Sequence, residues 1–311
     1  MALVVAYTTY RSDNKDINCP RRLCPAMPDD PHGLSSPADN PRQCNELAGH
    51  SAGPAKMVFR LLSLVGILVG PGLVSGAELT VAAAADLKFA LDELVSEFQT
   101  NQPSIKVNVT YGSSGNFYAQ LQNKAPFDLF FSADISYPRK LADAGFASDT
   151  NVFRYALGRI VVWVPRRSSL DIDRLGVQAL VAPEVKKIAV ANPQHAPYGR
   201  AAVAAMKSLG VFEQAEPKLV YGENIAQTTQ FVQSGAADIG IIALSLAVAP
   251  RMREEGRYWE VPLDCYPKME QGGIILRGAK QLETARAFRD FILGEQGRAV
   301  LRRYGFSLPE R

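Results

Sequence analysis

Short apolar runs that alternate with polar positions and longer runs of helical period succeed one another along most of this chain. Leu79, Thr80 and Val81 read as a strand, and Leu87, Ala90, Leu91, Leu94, Val95 and Phe98 then recur at helical spacing. Ile105, Val107, Val109 and Tyr111 alternate with polar residues, which predicts a half-buried strand, and a helix-like run follows at 117–124. Residues 127–131 form a short apolar strand before a helix at 137–144, and residues 159–164 are strongly β-prone. A second series follows, with strands at 188–191, 219–221 and 238–244, helices at 199–209 and 225–233, a returning strand at 273–276 and helices at 282–293 and 295–304. This succession predicts an α/β fold with mainly parallel sheets. Pro165 and two arginines after the strand at 159–164 place a crossing between two lobes there.

The pattern is absent from the first 56 residues, which carry seven prolines and three of the four cysteines. They read as a disordered or untranslated gene-call extension. Residues 57–77 have the parts of a secretory signal peptide: Lys56 and Arg60, an apolar run at 61–69 and the small residues Ser75, Gly76 and Ala77. The apolar run is shorter than the ~20 residues needed to span a bilayer, so export is expected rather than anchoring. Seven of the 34 Lys and Arg and six of the 31 Asp and Glu lie in residues 1–77, so the mature chain is near neutral and has no electrostatic footprint for nucleic acid. Cys265 alone survives processing, which leaves neither an intrachain disulfide nor a cysteine-built metal site.

Two junctions carry candidate chemistry. Tyr111-Gly112-Ser113-Ser114-Gly115-Asn116 takes a strand into a helix start, where backbone N–H groups, serine hydroxyls and the positive end of the helix dipole can meet an oxyanion. Ser, Asn and Gly also make ordinary capped turns. A second junction favours the site: the small side chains of residues 82–85 lead to Asp86, read as an N-cap, at the next helix start. Other constellations are weak. His195, in a loop rich in turn residues, is followed by no GxSxG-type nucleophile motif. Asp86 and Asp134 read as caps before they read as an acid–base pair, Cys265 lies away from any helix start that would activate it, and no P-loop is present.

The segments Leu79-Thr80-Val81-Ala82-Ala83-Ala84-Ala85, Tyr111-Gly112-Ser113-Ser114, Asp128-Leu129-Phe130-Phe131-Ser132-Ala133-Asp134, Asn192-Pro193-x-His195-x-Pro197-x-Gly199 and Tyr304-Gly305-Phe306 together resemble the periplasmic molybdate-binding proteins of ABC transporters, in order over residues 78–308. The resemblance implies a type II periplasmic-binding-protein fold, two Rossmann-like lobes around a hinge, with residues 78–160 and 258–311 in lobe I and 161–257 in lobe II. It implies a site in which hydroxyls and backbone N–H groups hold molybdate or tungstate, and with it the metal, without a counter-charge. Carried over by position, the oxyanion ligands are Ser114 and Ser113, the N–H groups of Tyr198 and Ile225, and the positions of Asp86 and Ala243. It further implies a periplasmic monomer that is no enzyme, needs no cofactor and delivers its ligand to an inner-membrane permease.

Two of these positions depart from the family pattern. Asp86 stands where a serine is common, and Ala243 where a tyrosine hydroxyl is common, with Asn116 or Ser245 as replacements for that hydroxyl. An ionised carboxylate ~4 Å from one unit of ligand charge costs about 4 kcal/mol at an effective dielectric near 20. The carboxylate is therefore expected to turn onto the N–H groups of Lys88 and Phe89 as an N-cap, leaving the N–H of Asp86 for the anion. Protonation of Asp86 and direct ligation of the metal are the alternatives. At the level of function, another oxyanion of the sulfate or phosphate class is a same-class alternative. A secreted hydrolase using Asp86 or Asp134 with His195, or the ligand-sensing domain of a regulator, are readings of other classes.

Overall fold

The computed structural model describes residues 77–147 and 152–310. The expected extension at 1–56 and all but the last residue of the expected signal peptide lie outside the described residues. The first sheet begins with β1 (Ala77–Ala84), which a short 3₁₀ turn (Ala85–Leu87) joins to α1 (Lys88–Asn101). β2 (Ile105–Gly112), α2 (Ser114–Gln122), β3 (Leu129–Ser132), α3 (Ser136–Asp143) and β4 (Phe153–Gly158) follow. The chain then enters a second sheet with β5 (Ile160–Pro165), α4 (Ile172–Leu175), β6 (Ile188–Ala191) and α5 (Pro197–Ser208). It continues through α6 (Phe212–Ala215), β7 (Leu219–Gly222), α7 (Ile225–Ser234), β8 (Ile239–Ala243), α8 (Leu244–Ala247), α9 (Pro250–Glu255) and β9 (Gly256–Glu260). It returns to the first sheet as β10 (Met269–Ile275) and ends in α10 (Leu282–Leu293) and α11 (Glu295–Arg303).

The strand orders are β2-β1-β3-β10-β4 and β7-β6-β8-β5-β9. Each sheet has three parallel strands, and the fourth runs against both its neighbours, β10 against β3 and β4 and β5 against β8 and β9. The sheets are thus mixed but mainly parallel, as expected, with one strand in each running against the rest. The reversed strands are β5 and β10, the first strand after each crossing between lobes, and β4 and β9, which no sequence pattern marked, pair beside them at the sheet edges. The crossing itself falls at Arg159, between β4 in one sheet and β5 in the other, and not after Pro165. Residues 258–260 stand in the second sheet because β9 pairs Tyr258, Trp259 and Glu260 with Trp163, Val162 and Val161.

Both lobes close around apolar cores. In the first, Phe131 packs its ring against Phe153, Tyr155 and Phe288, with Leu79, Val81 and Leu91 fully buried beside them. In the second, Val162, Ile188, Val190, Ile241 and Met206 form the centre. Ala84, Ala85 and Ala133 of the first lobe are buried against Ala196, Tyr198 and Ile225 of the second, so small side chains bring the strand ends of one lobe close to the helix starts of the other. Ligands in open α/β sheets bind at such carboxyl ends of strands.

Candidate functional site

Three helix starts converge between the lobes, and local sequence shapes each of them. Ser113 caps α2, its Oγ accepting from Asn116 N at 3.4 Å. α5 begins with Pro197 at its first position, where a missing N–H costs nothing. Asn224 caps α7, its Oδ1 accepting from the N–H groups of Ala226 and Gln227 at 3.0 Å each. Together with Ala84, Ala85 and Asp86 these starts border a narrow cleft, lined by Ser113, Ser114 and Ala133 from the first lobe and by Pro197, Tyr198 and Ile225 from the second, whose free volume is only about 10 Å³. Among the described residues, no cationic side chain lines it.

Five of the six positions expected to hold an oxyanion therefore lie together. Among the described residues, the backbone N–H groups of Ser114, Tyr198 and Ile225 donate to no backbone acceptor, and that of Asp86 lies against its own carboxylate. Ser114 Oγ accepts from Ala133 N at 2.9 Å, which leaves its O–H proton free to donate. Ser113 is differently engaged: its Oγ caps α2 and lies 3.0 Å from His195 Nδ1. Ala243, the sixth position, is not part of the lining. It ends β8 opposite Ile160, fully buried, and its side chain has no polar atom to offer. Neither suggested replacement for the missing hydroxyl lines the cavity, since Asn116 Nδ2 donates to Glu223 and Ser245 Oγ donates to the carbonyl of Asp86 at 2.8 Å.

The expected cap by Asp86 is not formed. α1 has Leu87 at its N-cap position and no side-chain cap, because the 3₁₀ turn separates Asp86 from the first turn of the helix. The carboxylate instead reaches across the cleft: Oδ2 accepts from the Tyr198 hydroxyl at 2.9 Å and from Gln271 Nε2 at 2.7 Å. Gln271 Nε2 also donates to the Tyr198 hydroxyl oxygen at 3.0 Å. Burial pushes the Asp86 carboxyl up to about 6, against the opposing pull of the hydrogen bonds from Gln271 and Tyr198. Its Oδ1 is buried with no partner. Burial and the neighbouring Asp86 charge hold the Tyr155 and Tyr198 hydroxyls well above the usual tyrosine value, so both act as neutral donors. Tyr155 donates to the carbonyl of Ser132 at 3.0 Å.

Around the rim, the lobes touch through further polar contacts. Gly115 N donates to His195 O at 2.9 Å, Arg200 pairs with Asp134 at 2.6 Å, and His195 Nε2 lies 3.7 Å from Glu223. These pairings do not assemble the acid–base site of the hydrolase reading, because Asp134 is held by Arg200, Asp86 by Tyr198 and Gln271, and His195 faces Ser113 and Glu223. Gln271 escaped sequence analysis because the predicted strand began at Gly273. An amide placed two residues before a Gly-Gly-Ile-Ile run was the available signal.

The model of the bacterial extracellular solute-binding proteins matches residues 79–307. The molybdate-binding protein ModA of Azotobacter vinelandii is 36% identical over 256 residues, covering 81% of this chain and all of the relative. That of Rhodobacter capsulatus is 34% identical over 241 residues, 77% of this chain and 92% of the relative. The solved periplasmic molybdate-binding protein of Azotobacter vinelandii superposes with a TM-score of 0.70 at 31% identity, over 75% of this chain and all of that one. The sulfate-binding protein SubI of Mycobacterium tuberculosis H37Rv shares the fold, with a TM-score of 0.59 at 17% identity over 75% of this chain and 88% of that one. With two mixed-sheet lobes, a cavity of helix starts between them and a family model matched over residues 79–307, this chain belongs to the bacterial extracellular solute-binding protein family.

Proposed function

We propose that the protein captures molybdate, and tungstate with it, in the cavity between its lobes and delivers it to an ABC importer in the inner membrane. The observation that carries this reading is the set of partnerless helix-start N–H groups of Ser114, Tyr198 and Ile225, with the N–H of Asp86 beside them, joined by the Ser114 hydroxyl, around a cavity without a cationic side chain among the described residues. Such donors at helix starts suit a fully deprotonated tetrahedral dianion, which accepts at every oxygen and needs no acceptor in return. The kinship with molybdate-binding proteins supports molybdate over smaller oxyanions. Residues 57–77 direct export to the periplasm, where the protein works as a monomer, and Ala243 contributes only apolar packing beside the site.

In this reading the anion first meets the first lobe at Ser114 and Asp86. Closure then brings up the N–H groups of Tyr198 and Ile225, and the closed form docks on the permease. Isothermal titration calorimetry of the wild-type protein is expected to give tight binding of molybdate and tungstate and much weaker binding of sulfate and phosphate. Ser114→Ala, which removes a hydroxyl donor to a charged ligand, is expected to lose about 1–3 kcal/mol of binding free energy. Absence of heat with both metal oxyanions, or unaltered affinity in the Ser114 variant, contradicts the assignment.

A further inference from the structure

Tyr198 is held at two ends. Its backbone N–H lies at the first turn of α5, on the cavity, while its hydroxyl crosses to the other lobe and donates to Asp86 Oδ2 at 2.9 Å. Gln271 on β10 completes the arrangement, 2.7 Å from Asp86 Oδ2 and 3.0 Å from the Tyr198 hydroxyl oxygen, so the acceptor is held from its own lobe as well as by the tyrosine. The packing leaves no slack. A Cβ on Gly158, where the chain is about to cross between lobes, would stand 2.7 Å from both Gln271 Nε2 and the Tyr198 hydroxyl. All three side chains are buried, and a second contact from α8, Ser245 Oγ to the carbonyl of Asp86, ties the same turn to the second lobe.

We propose that Asp86 is a positioning residue that acts on the oxyanion through Tyr198: its carboxylate, aligned by Gln271, latches the Tyr198 hydroxyl and so holds the start of α5, with its cavity-facing N–H, in the closed position. The proposal rests on the oxyanion-binding reading of the cavity. It assigns Asp86 a side-chain role that a carboxylate in direct contact with an anion could not fill, since such a contact is repulsive. It also makes ligand capture and lobe closure depend on one residue, because the amide and the phenol of Tyr198 are placed by the same ring.

The test is a double-mutant cycle on the full chain, with calorimetric affinity for molybdate and the dissociation rate of radiolabelled molybdate under a tungstate chase. Tyr198→Phe and Asp86→Ala are each expected to weaken binding roughly tenfold, the scale of one lost hydrogen bond, chiefly through faster dissociation. The double variant should stay within about twofold of the weaker single variant, because both changes open the same latch. Asp86→Asn, which keeps an acceptor oxygen for Tyr198, should recover binding relative to Asp86→Ala. Tyr198→Phe preserves the ring, and its ligand-free melting curve distinguishes a lost latch from a lost fold. Multiplicative losses approaching about a hundredfold in the double variant, or no recovery in Asp86→Asn, overturn the latch while leaving the cavity an oxyanion site. Failure of the wild-type protein to bind molybdate or tungstate overturns the site and the latch together.

Discussion

At the scale of the residue, Asp86 governs the most. Its carboxyl is pushed up to about 6 in the fold, from an ordinary value of 3.8, by burial that hydrogen bonds from Gln271, Tyr198 and its own backbone N–H only partly offset. Between those values the folded protein holds a proton that the unfolded chain has released, so stability falls as the pH rises through this window. The loss is complete above the folded value, and a shift of that size is worth about 3 kcal/mol. Chemical denaturation of the ligand-free protein from pH 4 to pH 7 should therefore show the wild type declining relative to Asp86→Asn. A constant difference between the two over that range would contradict the burial argument. The sequence showed that a carboxylate at this position conflicts with an anion site, but it could not show where the carboxylate goes. Its partners Tyr198 and Gln271 lie 112 and 185 residues away, and no local pattern records such contacts.

At the scale of the element, closure has a steric requirement at the start of α2. A Cβ on Gly115 would stand 2.6 Å from His195 O and 2.9 Å from His195 Cα, both backbone atoms that cannot step aside singly. In the open form that the proposed closure implies, the lobes part and relieve that contact, and alanine suits a helix better than glycine by roughly 0.5–1 kcal/mol. Gly115→Ala is thus expected to raise the ligand-free melting temperature slightly while weakening molybdate binding at least tenfold, roughly 1.4 kcal/mol. Calorimetry and thermal unfolding of the same variant check both signs, and undiminished affinity would mean that the two backbones do not meet in the bound state. Most helices and the parallel strands could be read from periodicity, because Ile225, Thr228, Thr229 and Val232 or Leu91, Leu94 and Phe98 record burial at fixed intervals. β4 and β9, at the edges of their sheets, escaped because Arg154, Arg257 and Glu260 interrupt their apolar pattern. The converging helix starts were legible one at a time; their convergence was not, since it depends on how two sheets face each other.

At the scale of the whole molecule, β10 lies between β3 and β4, although the entire second lobe separates it from them in sequence. During vectorial synthesis or threading through a membrane pore, β4 accordingly has no neighbour to pair with until residues 269–275 have emerged, and the core around Phe131 lacks Phe288 until later still. The sheet of the second lobe, built wholly from residues 160–260, faces no such wait. A segment spanning 159–261 is expected to unfold cooperatively on its own, as contiguous contacts allow, and a segment spanning 77–158 is not. Circular dichroism melts of the two segments decide the matter, with a cooperative transition in the N-terminal segment as the contrary result. The lobe that the chain begins is the lobe it finishes last, so a nascent molecule carries one completed jaw and one unfinished sheet, and the Gln271 that aligns Asp86 arrives only with the strand that closes it.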